Sequence, residues 1–231
     1  MTADSLADRL AAVQGAIADA AREAGRDAAD LTTIVVTKFH PASLVRELAA
    51  LGVRDIGENR HQEASAKAAE VADLDLVWHF VGQLQSKKAR QARAYARVFH
   101  SLDRDSVIDA LGSPQPQDSP GTVVDGFVQL NLTDDPGRGG VQPDELERVA
   151  EHVLATEGIR LRGVMAVAPI GEEPRRAFER VRRAAETLTS IDPGARYISA
   201  GMSGDFRDAI LEGATHLRIG SAITGNRQGP G

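Results

Sequence analysis

Apolar positions recur along the chain in two alternating rhythms, and the alternation predicts an architecture. Leu6, Leu10, Val13 and Ile17 stand at helical spacing in an Ala-rich stretch, so residues 4–25 read as an amphipathic helix. A β-branched run from Thr32 to Thr37 follows, ending on Lys38, and after Pro41 comes a helical segment from Ser43 to Leu48. The order strand, loop, helix then repeats. Residues 54–57 precede a helix to Val71, residues 76–81 a helix to Ala96, and residues 98–101 a helix to Leu111 with Asp103 as its expected N-cap. A Pro-rich connector at 113–121 reads as a long loop rather than a domain linker. Beyond it, strands are predicted at 123–130, 161–166, 196–199 and 215–219. They alternate with helices at 143–156, 174–190 and 205–212, Pro143 in a first turn and Gly213 closing the last.

Eight strands, each handed to a helix or helical turn, predict an α/β fold: a single (β/α)8 TIM-type barrel with an extra N-terminal helix. The rival is an open doubly wound sheet. Against it, Phe39-His40-Pro41 occupies the turn where a Gly-rich phosphate fingerprint would follow the first strand. The chain 1–231 is read as one domain, with 1–3 and 226–231 as flexible ends.

Composition removes whole classes of function. Among 231 residues, Lys+Arg number 27 and Asp+Glu 33, a net charge of −6, so the basic excess of a dedicated nucleic-acid binder is missing. Cysteine is absent, which excludes disulfides, thiolate metal sites and a cysteine nucleophile, and fits a reducing, cytoplasmic location. The acidic start MTADSLADRL and the lack of any run of about 18 apolar residues argue against secretion and membrane spanning. His40, His61, His100, His152 and His216 show no metal-ligand spacing, so no metal is expected. The cation runs Lys87, Lys88, Arg90, Arg93, Arg97 and Arg175, Arg176, Arg180, Arg182, Arg183 read as solvated helix faces.

In a barrel, functional residues lie at the carboxyl ends of strands, and phosphate is usually held by the loops after strands seven and eight. Here those ends supply Lys38, Glu58-Asn59, His79 with Gly82-Gln83, His100-Ser101, Asn131, Met165, the stretch Ser199 to Ser203, and Arg218 to Ser221. The Ser199 to Gly204 segment and Gly220-Ser221-Ala222 offer small residues and helix-start N–H groups, which together predict a phosphate cradle. Lys38 ends an otherwise apolar strand, so its amine is expected to be partly desolvated and suited to Schiff-base chemistry; the plainer reading is a lysine snorkelling to the rim. A lysine facing a phosphate cradle suggests a phosphorylated aldehyde or ketone. Pyridoxal phosphate (PLP) and sugar phosphates both qualify. His79 reads equally as a hydrogen-bonded core histidine or a cofactor neighbour, and Glu58 as first-turn charge for the next helix.

Several segments carry a family resemblance. They are Val36-Thr37-Lys38, Gly57-Glu58-Asn59, the block from Trp78-His79-Phe80-Val81-Gly82-Gln83-Leu84-Gln85 to Ser86-Lys87-Lys88, Leu161 to Met165, Gly201-Met202-Ser203-Gly204-Asp205 and Leu217-Arg218-Ile219-Gly220. In order, from about residue 5 to Gly225, they resemble the pyridoxal phosphate homeostasis protein family, a PLP-binding, alanine-racemase-like barrel without the racemase's second domain. The resemblance implies that Lys38 forms the Schiff base with PLP, that Asn59 and His79 lie near the cofactor, and that Met202, Ser203, Gly220 and Ser221 hold its phosphate. It also implies that Arg218 faces the pyridine nitrogen. A guanidinium donates without giving up its proton, so the ring would stay unprotonated and be a weak electron sink, suited to carrying PLP rather than spending it.

The chain departs from the family where Lys87 replaces a common Asn, Ser221 a Thr and Thr224 an aromatic, and where Gly137-Arg138-Gly139-Gly140 lacks the usual lysine. The racemase takes its second base, a tyrosine, from the neighbouring subunit's extra domain; here Tyr95 and Tyr197 are the only tyrosines, and neither is predicted near the mouth. The expected function is therefore a non-catalytic, monomeric PLP-binding protein acting in intracellular PLP homeostasis, with PLP-dependent apo-enzymes as recipients and neither nucleic acid nor membrane as partner. Two alternatives stand beside it: a racemase-like amino-acid enzyme with Lys38 as base, and a Schiff-base aldolase acting on a sugar phosphate.

Overall fold

The computed structural model describes residues 4–113, 122–135 and 137–225. The strands are β1 (Thr32–Val36), β2 (Asp55–Glu58), β3 (Val77–Phe80), β4 (Val98–Leu102), β5 (Val124–Gln129), β6 (Ile159–Met165), β7 (Tyr197–Ser199) and β8 (His216–Ile219). The helices are α1 (Leu6–Glu23), α2 (Ala42–Ala50), α3 (His61–Glu70), α4 (Ser86–Ala92), α5 (Asp105–Gly112), α6 (Leu146–Ala155), α7 (Pro174–Ile191), α8 (Phe206–Leu211) and α9 (Ser221–Thr224). Neighbouring strands are parallel and follow chain order, and β8 returns to β1 with Thr33 opposite Leu217 and Val35 opposite Ile219. The sheet is therefore a closed eight-stranded barrel, as the alternation predicted. The extra helix α1 starts on a capping box in which the Ser5 hydroxyl accepts from the Asp8 N–H and the Asp8 carboxylate accepts from the Ser5 N–H. It lies against α8 and α9, where Arg9 donates to the Ile223 carbonyl at 2.7 Å.

Strand alternation divides the side chains into two populations. Trp78, Phe80, Phe99, Ile198, Leu217 and Ile219 belong to the large apolar cluster between barrel and helices. The alternate positions His79, His100, Ser199, His216 and Arg218 are buried or half-buried, and His79 and His100 bond to each other within the ring of strands. Branched aliphatic residues usually fill a barrel's interior. Here the interior apolar residues form only a small second cluster, Val98, Phe127 and Met165 with Val167 and Tyr197.

Three local expectations are corrected. Asp103 is not an N-cap: Arg104 takes that position without a side-chain bond, while the Asp103 carboxylate accepts from Arg104 Nε at 2.9 Å and from the Gly140 N–H at 3.3 Å. The helix expected to reach Ala96 ends at Ala92, where the chain turns inward and buries Arg93. Arg93 is thus no part of a solvated face. Its guanidinium donates to the carbonyls of Leu111, Gly158 and Thr122, tying the end of α5 to the entries of β5 and β6. Residues 114–121, which hold most of the Pro-rich connector, lie outside the described residues, as do the ends 1–3 and 226–231. Among the described residues, no helix is long and apolar enough to cross a membrane.

Replacing Arg93 strands three inward-facing carbonyls at once. The Arg93→Met variant is expected to lose roughly 2–5 kcal/mol in urea denaturation, while Arg90→Met on the exposed side of the same segment changes stability by less than about 0.5 kcal/mol.

Candidate functional site

The site begins where β1 runs out. After Val36 the chain makes a tight turn, the His40 N–H donating to the Thr37 carbonyl at 3.1 Å, and Phe39 takes a left-handed φ of 67°. Such a backbone is costly for an aromatic residue and persists only where its surroundings enforce it. A buried ammonium does so here. Lys67 on α3 donates to the Thr37 carbonyl at 2.7 Å, to Glu58 Oε1 at 2.6 Å and to Glu63 Oε1 at 2.7 Å. Glu63 Oε1 in turn accepts from the Phe39 N–H, and the Thr37 hydroxyl donates to Glu58 Oε1 at 2.7 Å. The backbone on both sides of Lys38 is therefore held by one Lys–Glu–Glu cluster. Burial pushes the Glu58 carboxyl above its ordinary value, against the hydrogen bonds from Lys67 and Thr37. It acts the same way on Glu63, but bonds from Lys67 and the Phe39 N–H outweigh it and hold that carboxyl low.

Two expectations change with this geometry. Glu58 is fully buried in a strand and paired with Lys67, rather than serving as first-turn charge for α3. The Lys38 side chain is exposed, not desolvated, because it leaves the strand on a turn instead of ending it.

The pairing of β1 with β8 brings the two ends of the chain to one cavity of about 460 Å³. Val36, Lys38, Phe39 and His40 line one side of it, and Gly220, Ser221, Thr224 and Gly225 the other. Beside it, the Ser203 hydroxyl accepts from the N–H groups of Gly220 and Ala222, each at 3.3 Å, and so joins the loop after β7 to the loop after β8. Among the described residues, the N–H groups of Ser203, Gly204 and Ser221 have no acceptor. Unpaired N–H groups on two adjoining loops are a ready anion cradle. Gly201 shapes it: its φ is +90°, and a Cβ there would stand 2.8 Å from Ala209 Cβ and 2.9 Å from Phe206 Cα. Met202 is partly exposed in this loop, its N–H bonded to Asp205 Oδ1 at 2.6 Å.

Arg218, on β8, is nearly fully buried. It donates from Nη1 to Ser199 Oγ at 2.6 Å and from Nη2 to the Ala166 carbonyl at 2.8 Å. Burial lowers its pKa to about 10, opposed by Asp205, so it remains a cation at neutral pH. Asn59 follows β2 with its Oδ1 buried and unpartnered, and Gly82 permits the close approach of the next loop, since a Cβ there would stand 2.4 Å from the Asn59 carbonyl oxygen. The structure thus gathers Lys38, Gly220 and Ser221 around one cavity with Ser203 bridging its far loops. Asn59, Met202, Arg218 and His79 do not line that cavity, and His79 lies inside the barrel between Asp55 and His100.

Lys67 and Glu63 were missed on sequence, although Glu63 and Lys67 stand four residues apart on a helix, a spacing that signals an ion pair. Asp55 carried no such signal, because its partner comes from the neighbouring strand.

Comparison with known proteins places the chain first in a class and then in a family. Residues 11–228 match the alanine racemase N-terminal domain. Alanine racemase from Corynebacterium glutamicum shares the fold at 16% identity, with a TM-score of 0.67 over 94% of this chain and 62% of that one. Far nearer in sequence is the pyridoxal phosphate homeostasis protein of Pseudomonas aeruginosa, 40% identical over 226 residues and covering 96% of both chains. PipY of Synechococcus elongatus, solved with PLP bound, is 33% identical with a TM-score of 0.80 over 96% of this chain and 100% of that one. The chain belongs to the pyridoxal phosphate homeostasis protein family.

The Lys67 cluster yields a signed pH prediction. In Lys67→Met two inward-facing carboxylates lose their cation, and the variant is expected to lose roughly 3–5 kcal/mol at pH 7.5. Without Lys67 both carboxyls titrate at higher pH in the folded state, so stability falls as pH rises through those values. The deficit against the parent protein should shrink when denaturation is repeated near pH 5.

Proposed function

We propose that this protein binds PLP at the barrel mouth, holds it as a Schiff base on Lys38, and acts in PLP homeostasis without turning over a substrate. One observation carries the reading: a single cavity joins the Lys38 amine to Gly220 and Ser221, beside N–H groups on two loops that have no protein acceptor. An aldehyde and a phosphate on one small molecule match that pair of features. When bound, PLP supplies an aldehyde that condenses with an amine. The names of the Pseudomonas aeruginosa relative and of PLP-bound PipY support the same cofactor.

Each chain residue then has a task. Lys38 presents its amine from a rigid turn. Ser203, Gly220 and Ser221, with the Met202 loop, receive the phosphate. Arg218 offers its free N–H groups to the ring nitrogen and keeps its own proton. Asn59 Oδ1, buried without a partner, accepts a hydrogen bond from the ligand. His79 bonds to His100 and Asp55 within the barrel.

The non-catalytic reading is supported by the placement of acid–base groups. Racemisation needs bases on opposite faces of the substrate. Tyr197 starts β7, flanked by the guanidinium groups of Arg162 and Arg196 at 4.3 and 5.5 Å from its ring, and Tyr95 packs against Trp78 and His61. His40 does line the cavity, but in the same turn as Lys38 rather than across from it. In this reading the protein is a single-domain cytoplasmic monomer that releases PLP to apo-enzymes.

The test is spectroscopic. Purified protein mixed with PLP should show a visible band that borohydride removes, with the reduced adduct mapping to Lys38 and no band in Lys38→Ala. Labelling elsewhere, or amino-acid turnover by the pure protein that Lys38→Ala abolishes, would overturn the proposal.

A further inference from the structure

Among the described residues, Arg218 is a nearly buried cation that forms no ion pair, although the Asp205 carboxylate lies near enough to favour its charge. Its two protein bonds go to a hydroxyl and a carbonyl, and three of its five N–H groups have no acceptor among the described residues. A buried charge is stable only when compensated. The compensation can be followed bond by bond through the barrel. Ser199 Oγ lies 2.6 Å from Arg218 Nη1 and 2.8 Å from His100 Nδ1; His100 Nε2 lies 3.0 Å from His79 Nδ1; His79 Nε2 lies 2.9 Å from Asp55 Oδ1. The chain runs from the carboxyl-terminal part of β8, by way of β7, β4 and β3, to the first residue of β2.

Its two ends set its direction. Arginine can only donate, so the Ser199 oxygen accepts a hydrogen bond from Arg218 and turns its own hydrogen to His100 Nδ1. Asp55 as carboxylate can only accept, so His79 carries its hydrogen on Nε2 and leaves Nδ1 to accept from His100 Nε2–H. Both ends demand one arrangement, in which every donor points from Arg218 toward Asp55. The opposite arrangement would leave the Ser199 hydrogen without an acceptor in a fully buried site. Packing holds the middle of the chain: the His100 ring stacks on Phe127 at 4.7 Å and 10°, and His216 meets Phe127 edge-on at 5.1 Å. Burial above all, with the Arg218 cation nearby, holds the His100 imidazole well below its ordinary pKa, as a neutral link in the chain requires.

We propose that Asp55 is a remote, hydrogen-bond-linked counter-ion of Arg218 beside the through-space charge of Asp205, and that Asp55, His79, His100 and Ser199 are positioning residues that hold the guanidinium while leaving its remaining donors free for a ligand's acceptor atom. A carboxylate in direct contact would occupy the bidentate edge that a ligand needs. Moving that charge to the far end of a polarised chain keeps the edge open. The ligand half of this proposal rests on the PLP reading above; the chain itself does not.

The test uses the full chain in two arms. Long-range ¹H–¹⁵N spectra of the ligand-free protein should show His79 and His100 as neutral Nε2–H tautomers. In Asp55→Asn, whose amide can donate as well as accept, mixed tautomers should appear at both histidines, although only His79 touches the substituted residue. Nδ1–H or doubly protonated rings in the parent protein, or a change confined to His79, would overturn the chain. In the second arm, PLP and its analogue with C–H in place of the ring nitrogen are titrated against both proteins. Asp55→Asn should weaken PLP by about three- to tenfold, the loss of one modest hydrogen bond, and leave the analogue unchanged. Equal weakening of both ligands would mark Asp55 as merely structural. If the parent protein binds neither ligand, the PLP reading falls, and the histidine spectra alone decide the chain.

Discussion

Pairing between the first strand and the last is the contact on which the site depends. β1 and β8 come from opposite ends of the sequence, and their register, Val35 against Ile219, sets the turn that carries Lys38 beside the loop that carries Gly220 and Ser221. In an open sheet the same two strands would lie at separate edges, with the amine and the anion cradle facing different solvent. Closure is driven by the apolar shell between barrel and helices, to which α1 adds cover over α8 and α9.

Two of the buried cations among the described residues, Lys67 and Arg218, are treated in opposite ways. Lys67 spends all three of its protons on protein acceptors, two of them carboxylates, and the product is a stiff turn. Arg218 has no carboxylate in contact and retains unpaired donors. Direct pairing makes the first a structural clamp; a hydroxyl and two neutral imidazoles between guanidinium and carboxylate leave the second available to a ligand. The same arrangement accounts for an interior rich in histidine where branched aliphatic residues would pack more simply.

Alanine racemase from Corynebacterium glutamicum shares this barrel, and the proposed difference in chemistry is read from what surrounds the mouth. Tyr197, clasped by Arg162 and Arg196 at the start of β7, does not line the Lys38 cavity, and His40 shares the turn of Lys38. On the proposed reading, a lysine beside an anion cradle, with neither tyrosine lining the cavity, is equipped to hold an aldehyde and release it.

Much of this was legible in the letters. The two hydrophobic periods determined the order of eight strands and their helices. The short polar and glycine segments at strand ends marked Lys38, Asn59, Ser203, Arg218, Gly220 and Ser221 as candidates, of which Lys38, Gly220 and Ser221 line one cavity, because the ends of parallel strands and the turns after them are local features of the chain. What tertiary structure alone decided was partnership across strands. Arg93, read as surface, turned inward to three carbonyls; Glu58 found Lys67; and His79, expected near the cofactor, became a link between Asp55 and His100. A side chain's type and period state what it can bond. Only barrel closure, which sets register and facing direction at once, determines which partner lies within 3 Å.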